Sequence, residues 1–387
     1  MASTIFPSPG DPTAIRDALR ACAESGGGTV EVAPGVWHSL PLELASNVRL
    51  DLKPGAIIEF LPDVSRYFPE VFVRWEGIEC FSAHPLIYAK DAHDVAITGH
   101  GILRGNGETW HVYGAKQEHR QRAEKLRRLA SLPPAQRFFR QTDDFLRPSF
   151  VHFVNCRNVL WENFTIDTGP MWTLHPVYCE NLVARGLVVR TTGPNTDGLN
   201  PDSCDGVLIE NCIFSTGDDC IAIKSGLNAD GWRVGKPCRN IKIKNCEMTS
   251  GHAGVAIGSE LSGGIENVDI SHCNIRNTGL GIRIKSLPGR GGFVRDVRVS
   301  DVEMRDLKST AIHLDMAYPQ TTLATQELKG TALENISFDR VVCYRAPIGI
   351  YLRGAAGMPV KDLRFADVET EVDQSIVCEG EKIAFSR

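Results

Sequence analysis

The chain has 387 residues, 42% of them hydrophobic and 23% charged, and a net charge of −5 at neutral pH. That balance predicts a soluble globular protein with a large core and argues against a nucleic-acid partner or an anionic membrane surface. No apolar run approaches the ~20 residues that span a bilayer.

The opening Met1-Ala2-Ser3-Thr4-Ile5-Phe6-Pro7 lacks the charged region, apolar stretch and cleavage site of a signal peptide, so a cytoplasmic location is expected unless a signal was removed. The first predicted element is a helix over 11–24. Asp11 is a candidate N-cap with Pro12 at the first helical position, Ile15, Ala18, Leu19 and Cys22 recur at helical spacing, and Gly26-Gly27-Gly28 ends the run. Such a helix is suited to covering the open end of a stack of strands.

From Asp94-Val95-Ala96-Ile97 onward one phrase returns: a polar residue, often Asn or Asp, then apolar, any, apolar. It recurs at Asn158-Val159-Leu160-Trp161, Asn181-Leu182-Val183, Gly206-Val207-Leu208-Ile209, Asn240-Ile241-Lys242-Ile243 and Asn267-Val268-Asp269-Ile270. It continues at Asp296-Val297-Arg298-Val299, Asn335-Ile336-Ser337-Phe338 and Asp362-Leu363-Arg364-Phe365. Alternation with period two and β-branched residues mark short strands. Units of this length cannot bury an inner face alone, so the chain is predicted to be all-β, a single parallel β-helix over 1–387. The longer intervals between copies then read as loops on one side.

Residues 111–147 break the strand pattern with a charged, helical insertion. Over 111–140, Lys116, Arg120, Arg122, Lys125, Arg127, Arg128, Arg137 and Arg140 stand against Glu118 and Glu124. A solvated helix is the plain reading; a lid over an acidic-substrate cleft, or a contact in a homo-oligomer, is the alternative. Of the twelve cysteines, Cys156, Cys212, Cys246 and Cys273 share one place in the repeat, which predicts reduced core residues. No C-x-x-C zinc pair is present.

The chemistry gathers at Asn195-Thr196-Asp197-Gly198, Gly217-Asp218-Asp219-Cys220, His252 and Arg283-Ile284-Lys285. Counted from the repeat, Asp197, Asp218, Asp219, His252, Arg283 and Lys285 fall in the same portion of successive coils, with His252 stacked beyond Asp218. Glycoside hydrolysis needs one protonated carboxyl and one ionised carboxylate. Repulsion among three aspartates is expected to raise the proton affinity of at least one. Two cations alternating in a strand point the same way and suit the carboxylate of an acidic sugar.

These blocks, with Gly251-His252-Ala253-Gly254, resemble the signatures of glycoside hydrolase family 28, the polygalacturonases. Arg74-Trp75-Glu76-Gly77-Ile78-Glu79-Cys80, Gly169-Pro170-Met171-Trp172 and Asn200-Pro201-Asp202-Ser203-Cys204 look most like its bacterial exo-acting members. The resemblance implies a right-handed β-helix and hydrolysis of α-1,4-galacturonan, polymer or oligomer, with inversion and without metal or other cofactor. It assigns Asp218 as general acid, Asp197 and Asp219 to the water, and His252 to the support of the acid. Arg283 and Lys285 bind the galacturonate carboxylate, and Asn195 and Tyr318 join the substrate site. Ala253 departs from the family's usual glycine, and its methyl is expected to crowd the backbone or shift the imidazole. The rivals to an exo-acting enzyme are an endo-polygalacturonase and a rhamnogalacturonan or xylogalacturonan hydrolase. More distant are a Ca²⁺-dependent pectate lyase, since aspartates also ligate Ca²⁺, and a non-catalytic β-helix that binds pectic glycans.

Overall fold

The polar residue that opens each repeat adopts a left-handed backbone, with φ of +54° at Asp94, +55° at Asn158, +54° at Asn181, +58° at Asn240, +53° at Asn267 and +54° at Asn335. Asn and Asp tolerate that region better than other side chains, and this is why they recur there. Their side chains also bond from coil to coil. Asn158 Nδ2 donates to Asp94 Oδ1 at 3.0 Å, Asn267 to Asn240 at 2.6 Å and Asn335 to Asp296 at 2.7 Å.

The computed structural model describes residues 3–7, 10–111, 116–142, 144–319 and 329–386. Its fold is the expected parallel β-helix. The apolar anchors of successive repeats are register partners: Val95 with Val159 and Val159 with Leu182, then Val207 with Ile241, Val268, Val297, Ile336 and Leu363 in turn. The chain divides into two compact units, one of Met1–Trp75 and Glu79–Leu199, the other of Glu76–Ile78 and Asn200–Arg387.

In the first unit each coil carries up to three strands, as in Gly28–Val32, Gly35–Ser39 and Leu42–Glu43. The helix Ala14–Glu24 buries Ile15, Ala18, Leu19 and Cys22 against the first coils. It starts at Ala14 rather than 11 because Asp11 closes a turn ahead of it, accepting the Thr13 N–H on its carboxylate at 2.8 Å and the Ala14 N–H on its carbonyl at 3.0 Å. Among the described residues of this unit, the excursions leave between the second and third strands of a coil. One is the hairpin Val71–Trp75 and Ile78–Ser82; another is the predicted insertion, whose helix spans Lys116–Leu129. Residues 112–115 and 143 of that insertion lie outside the described residues.

The third sheet of this unit runs Leu42–Glu43, Ile87–Lys90, Val151–Val154 and Leu174–Val177. Ile87, Val151 and Leu174 face the core, and their neighbours Tyr88, His152 and His175 stack on the outer face in register. That outer row is nonetheless buried, because the hairpin and the insertion cover it. Tyr88 donates to the Phe72 carbonyl at 2.7 Å, the Arg74 N–H to His152 Nε2 at 3.3 Å, and Trp75 Nε1 to the Arg147 carbonyl at 3.0 Å. Not all of the insertion's charges are solvated. Arg137 is buried and donates to the carbonyls of Glu79, Ala130 and Leu132 at 2.8–3.0 Å, which locks the insertion to the hairpin.

The second unit continues the pattern with longer, bent strands such as Glu247–Ile257, Phe293–Arg305 and Ala332–Gly354. The interval between Val207 and Ile241 holds the helix Asn228–Val234. The cysteines are free thiols, all buried except Cys378. Cys212, Cys246 and Cys273 each donate to the carbonyl two residues earlier at 3.3 Å, so the recurrent thiol is part of the turn.

Candidate active site

Asp218 and Asp219 sit in the turn between strands Ile213–Ser215 and Ile221–Ile223. Thr216 Oγ1 donates to the Asp218 carbonyl at 2.6 Å, and the Asp219 N–H donates to Asp218 Oδ1 at 2.9 Å. One coil on, the His252 N–H donates to the same Asp218 carbonyl at 3.0 Å, and His252 Nδ1 lies 3.0 Å from Asp218 Oδ1. Gly251 permits this approach: a Cβ there would stand 2.8 Å from the Asp218 carbonyl oxygen. With Ala253 beside it, the imidazole keeps its 3.0 Å contact to Asp218 Oδ1. The Ala253 methyl is buried among Ala222, Ala256 and Leu280, where small neighbours leave room for it.

Arg283 and Lys285 lie on Thr278–Lys285, one coil beyond His252, with Ile282 and Ile284 pointing into the core. Lys285 Nζ reaches back to Asp219 Oδ2 at 2.9 Å, a pair almost wholly buried. The other Asp219 oxygen, Oδ1, has no hydrogen-bond partner among the described residues, and neither has Arg283 Nε. The Arg283 guanidinium rests 4.9 Å from the Tyr318 ring centroid, with Lys285 Nζ at 5.6 Å. The family-based placement of Tyr318 therefore coincides with a cation–π contact to both cations.

Burial pushes the Asp218 carboxyl up, but the hydrogen bond and charge of His252 and the charges of Lys285 and Lys224 outweigh it and hold it below the ordinary carboxylate range. Repulsion is thus not the dominant influence on Asp218, because His252 and Lys285 from later coils and Lys224 from its own coil act on it. Burial pushes the Lys285 ammonium down, and the Asp219 carboxylate more than restores it, leaving it above its ordinary value.

Sequence reasoning missed a second buried layer. Lys224 Nζ pairs with Glu260 Oε2 at 3.0 Å, both almost fully enclosed. Burial raises the Glu260 carboxyl, yet Lys224, Arg290 and Lys285 bring it down to about 2. The available signal was Lys224 directly after the apolar strand Ile221–Ile223; Glu260, three residues past the strand that ends at Ile257, carried none.

In the first unit, Asn195 takes a left-handed backbone (φ +59°) and Asp197 is buried. Arg147, at the end of the insertion, donates to the Pro194 carbonyl at 3.0 Å and to Asn195 Oδ1 at 2.8 Å. The Asn195 side-chain oxygen is therefore engaged in holding its own loop. The Asp197 carbonyl accepts the Thr173 N–H at 2.9 Å, which fixes the loop to the preceding coil. The structure thus joins Asp218 to His252, Asp219 to Lys285, and both cations to Tyr318, while Asn195 and Asp197 share the Arg147-braced loop.

The model of the family described as glycosyl hydrolases family 28 matches residues 140–385. A probable polygalacturonase of Vitis vinifera is 31% identical over 307 residues, covering 76% of this chain and 57% of that protein. The chain spans only about half the length of the plant relatives matched first, down to 50% for one from Arabidopsis thaliana. An exopolygalacturonase of Thermotoga maritima of known structure is 30% identical, with a TM-score of 0.89 over 98% of this chain and 94% of that one. A polygalacturonase of Erwinia carotovora, 22% identical with a TM-score of 0.78 over 100% of this chain and 97% of that one, shares the fold. These neighbours are right-handed parallel β-helices, as the resemblance implied. They overturn the cytoplasmic expectation, because plant and bacterial polygalacturonases are typically extracellular or cell-wall enzymes.

Proposed function

Since the chain belongs to glycosyl hydrolases family 28, we propose that it is an exo-acting polygalacturonase. It removes galacturonic acid from an end of α-1,4-galacturonan chains or oligogalacturonides, with inversion. The covered sheet carries the exo reading. In the first unit Tyr88, His152 and His175 lie under the hairpin and the insertion, whereas in the second Arg283, His313 and Tyr351 remain partly exposed. A polymer cut in mid-chain needs a free face along many coils; a chain end needs only the open stretch.

In this reading Asp218 gives its proton to the glycosidic oxygen as that oxygen leaves the anomeric carbon. Asp197 and Asp219 hold a water on the opposite face and take its proton as its oxygen bonds to the same carbon. The unpartnered Asp219 Oδ1 is a ready acceptor for that water. Arg283 and Lys285 bind the uronate carboxylate, and His252 orients Asp218. The free site favours ionised Asp218, so the acid must gain its proton when substrate arrives. A uronate carboxylate set against Arg283 and Lys285 offsets those cations and raises the proton affinity of Asp218.

The test is reducing-end release from polygalacturonate by the wild type and Asp218→Asn, with and without chelator. Chelator-insensitive release that the variant loses by about 10³-fold fits the reading. An ultraviolet-absorbing unsaturated product that vanishes with chelator means a lyase instead, and no release with retained affinity means a binding protein.

A further inference from the structure

Lys224 and Lys285 stand in one row of the second unit. Each follows a core isoleucine, Ile223 and Ile284, and these are register partners through Ile257. The place between the two lysines falls to Gly258, which has no side chain to separate them. Lys285 Nζ leaves the row to pair with Asp219 at 2.9 Å, and Lys224 Nζ pairs with Glu260 at 3.0 Å. Both ammoniums bear on Asp218, and the Lys224 charge also pushes the Lys285 ammonium down.

The Glu260 carboxylate is held from several sides. Its own carbonyl accepts the Ser225 N–H at 2.7 Å, the Ser225 carbonyl accepts the Gly263 N–H at 2.7 Å, and the Gly226 carbonyl accepts the Ser262 N–H at 3.0 Å. The loop after Lys224 is thereby zipped to the loop that carries Glu260. Glu260 Oε1 also accepts the Ser259 hydroxyl at 3.3 Å, and the Lys224 N–H is fixed to the Pro201 carbonyl at 2.8 Å. Two more charges are buried here. Arg290 donates to Asn228 Oδ1 at 2.7 Å and accepts the Ser262 hydroxyl on its carbonyl at 2.7 Å; Asp202 accepts the Gly226 N–H at 3.1 Å. Asp230 is paired with Arg233 at 3.0 Å. Three buried cations, Lys224, Lys285 and Arg290, are set against three buried carboxylates, Glu260, Asp219 and Asp202. In a low-dielectric interior, loss of one carboxylate leaves a surplus positive charge that acts over many ångströms.

We propose that Glu260 is a positioning residue for the hydrolytic step: it holds and neutralises Lys224, and so limits the positive charge that bears on Asp218. The proposal rests on the reading of Asp218 as the general acid. That acid must gain a proton beside His252, Lys285 and Lys224. With Lys224 matched by Glu260 and Lys285 matched by Asp219, only a modest further change, supplied by bound uronate, is needed to protonate it. With Lys224 unmatched, Asp218 stays ionised to lower pH.

The experiment measures the basic limb of the kcat/KM profile on oligogalacturonate for the wild type, Glu260→Gln, Lys224→Met and the double variant. Glu260→Gln is expected to move the limb down by about one pH unit, Lys224→Met to move it up, and the double variant to return it near the wild type. Should Glu260→Gln fail to fold, the step from Lys224→Met to the double variant, which leaves neither partner of the pair charged, reads the same contribution. A limb that stays in place while activity or stability falls gives Glu260 a structural role only and overturns the proposal, as does a double variant displaced as far as Glu260→Gln. Carbon NMR titration of the aspartate carboxyls, with Asp218 assigned by the signal missing in Asp218→Asn, follows the same displacement without turnover. Failure of the wild type to cleave defeats the hydrolytic reading, while the NMR displacement still decides whether Glu260 sets the proton affinity of Asp218.

Discussion

Lys285 reaches across the coil that carries His252 to pair with Asp219, 66 residues earlier in the chain, at 2.9 Å. Both ends are buried, so the pair is a fixed part of the site rather than a surface contact. Removing one partner of such a pair strands the other charge in a low-dielectric setting. Lys285→Met is expected to cost about 3–5 kcal/mol in urea unfolding, and to abolish measurable cleavage. Lys285→Arg is expected to recover stability more than activity, because a planar guanidinium does not replace a point ammonium.

His252 acts on the reaction only through Asp218. His252→Ala is therefore expected to lower kcat and kcat/KM together by about 10²-fold while leaving KM near its original value. A change confined to KM would place His252 on the substrate instead.

The pH dependence has a defined sign. An acid must be protonated, so activity falls as pH rises through the pKa of Asp218. In the free protein His252, Lys285 and Lys224 hold that pKa below the ordinary carboxylate range, and bound uronate offsets the lysine. The basic limb of kcat/KM, which reports the free enzyme, is expected at lower pH than the basic limb of kcat. Coincident limbs would contradict substrate-assisted protonation.

Glu260 titrates at about 2 in the fold against an ordinary 4.5. A depressed carboxyl stabilises the protein above its unfolded value, and that contribution, about 3 kcal/mol, disappears as pH falls from 4.5 through 2. Glu260→Gln is expected to lower stability at pH 7 and to flatten its loss between pH 5 and pH 3, as followed by urea midpoints.

Arg147 braces the loop that carries Asn195 and Asp197. Arg147→Met is expected to reduce kcat by about tenfold or more through misplacement of Asp197, with smaller change in KM. An unaltered kcat would show that the loop holds its shape without the guanidinium.

The repeat was legible because one backbone requirement, a left-handed residue before the first strand of a coil, selects Asn or Asp at most coils and Gly206 at one. Asp218 over His252 followed from the same spacing, since one coil separates them. What stayed hidden depends on partners without a local pattern. The hairpin around Arg74 and Trp75 was noticed only as a family likeness, and its role as cover on Tyr88, His152 and His175 needs contacts roughly 80 residues apart. The lowered pKa of Asp218 was missed because counting aspartates ignores His252 and Lys285, which arrive from later coils, and Lys224 on its own coil. The compartment was misjudged because the first residues of a chain say little about where its relatives act.

The central claim is that the open face accepts a chain end, and product size tests it most directly. A time course on a saturated hexamer of galacturonic acid, separated by chain length, is expected to show monomer from the first point, with pentamer, tetramer and trimer following in turn. An early spread of dimers, trimers and tetramers without monomer would contradict it, and with it the role given to the hairpin and insertion.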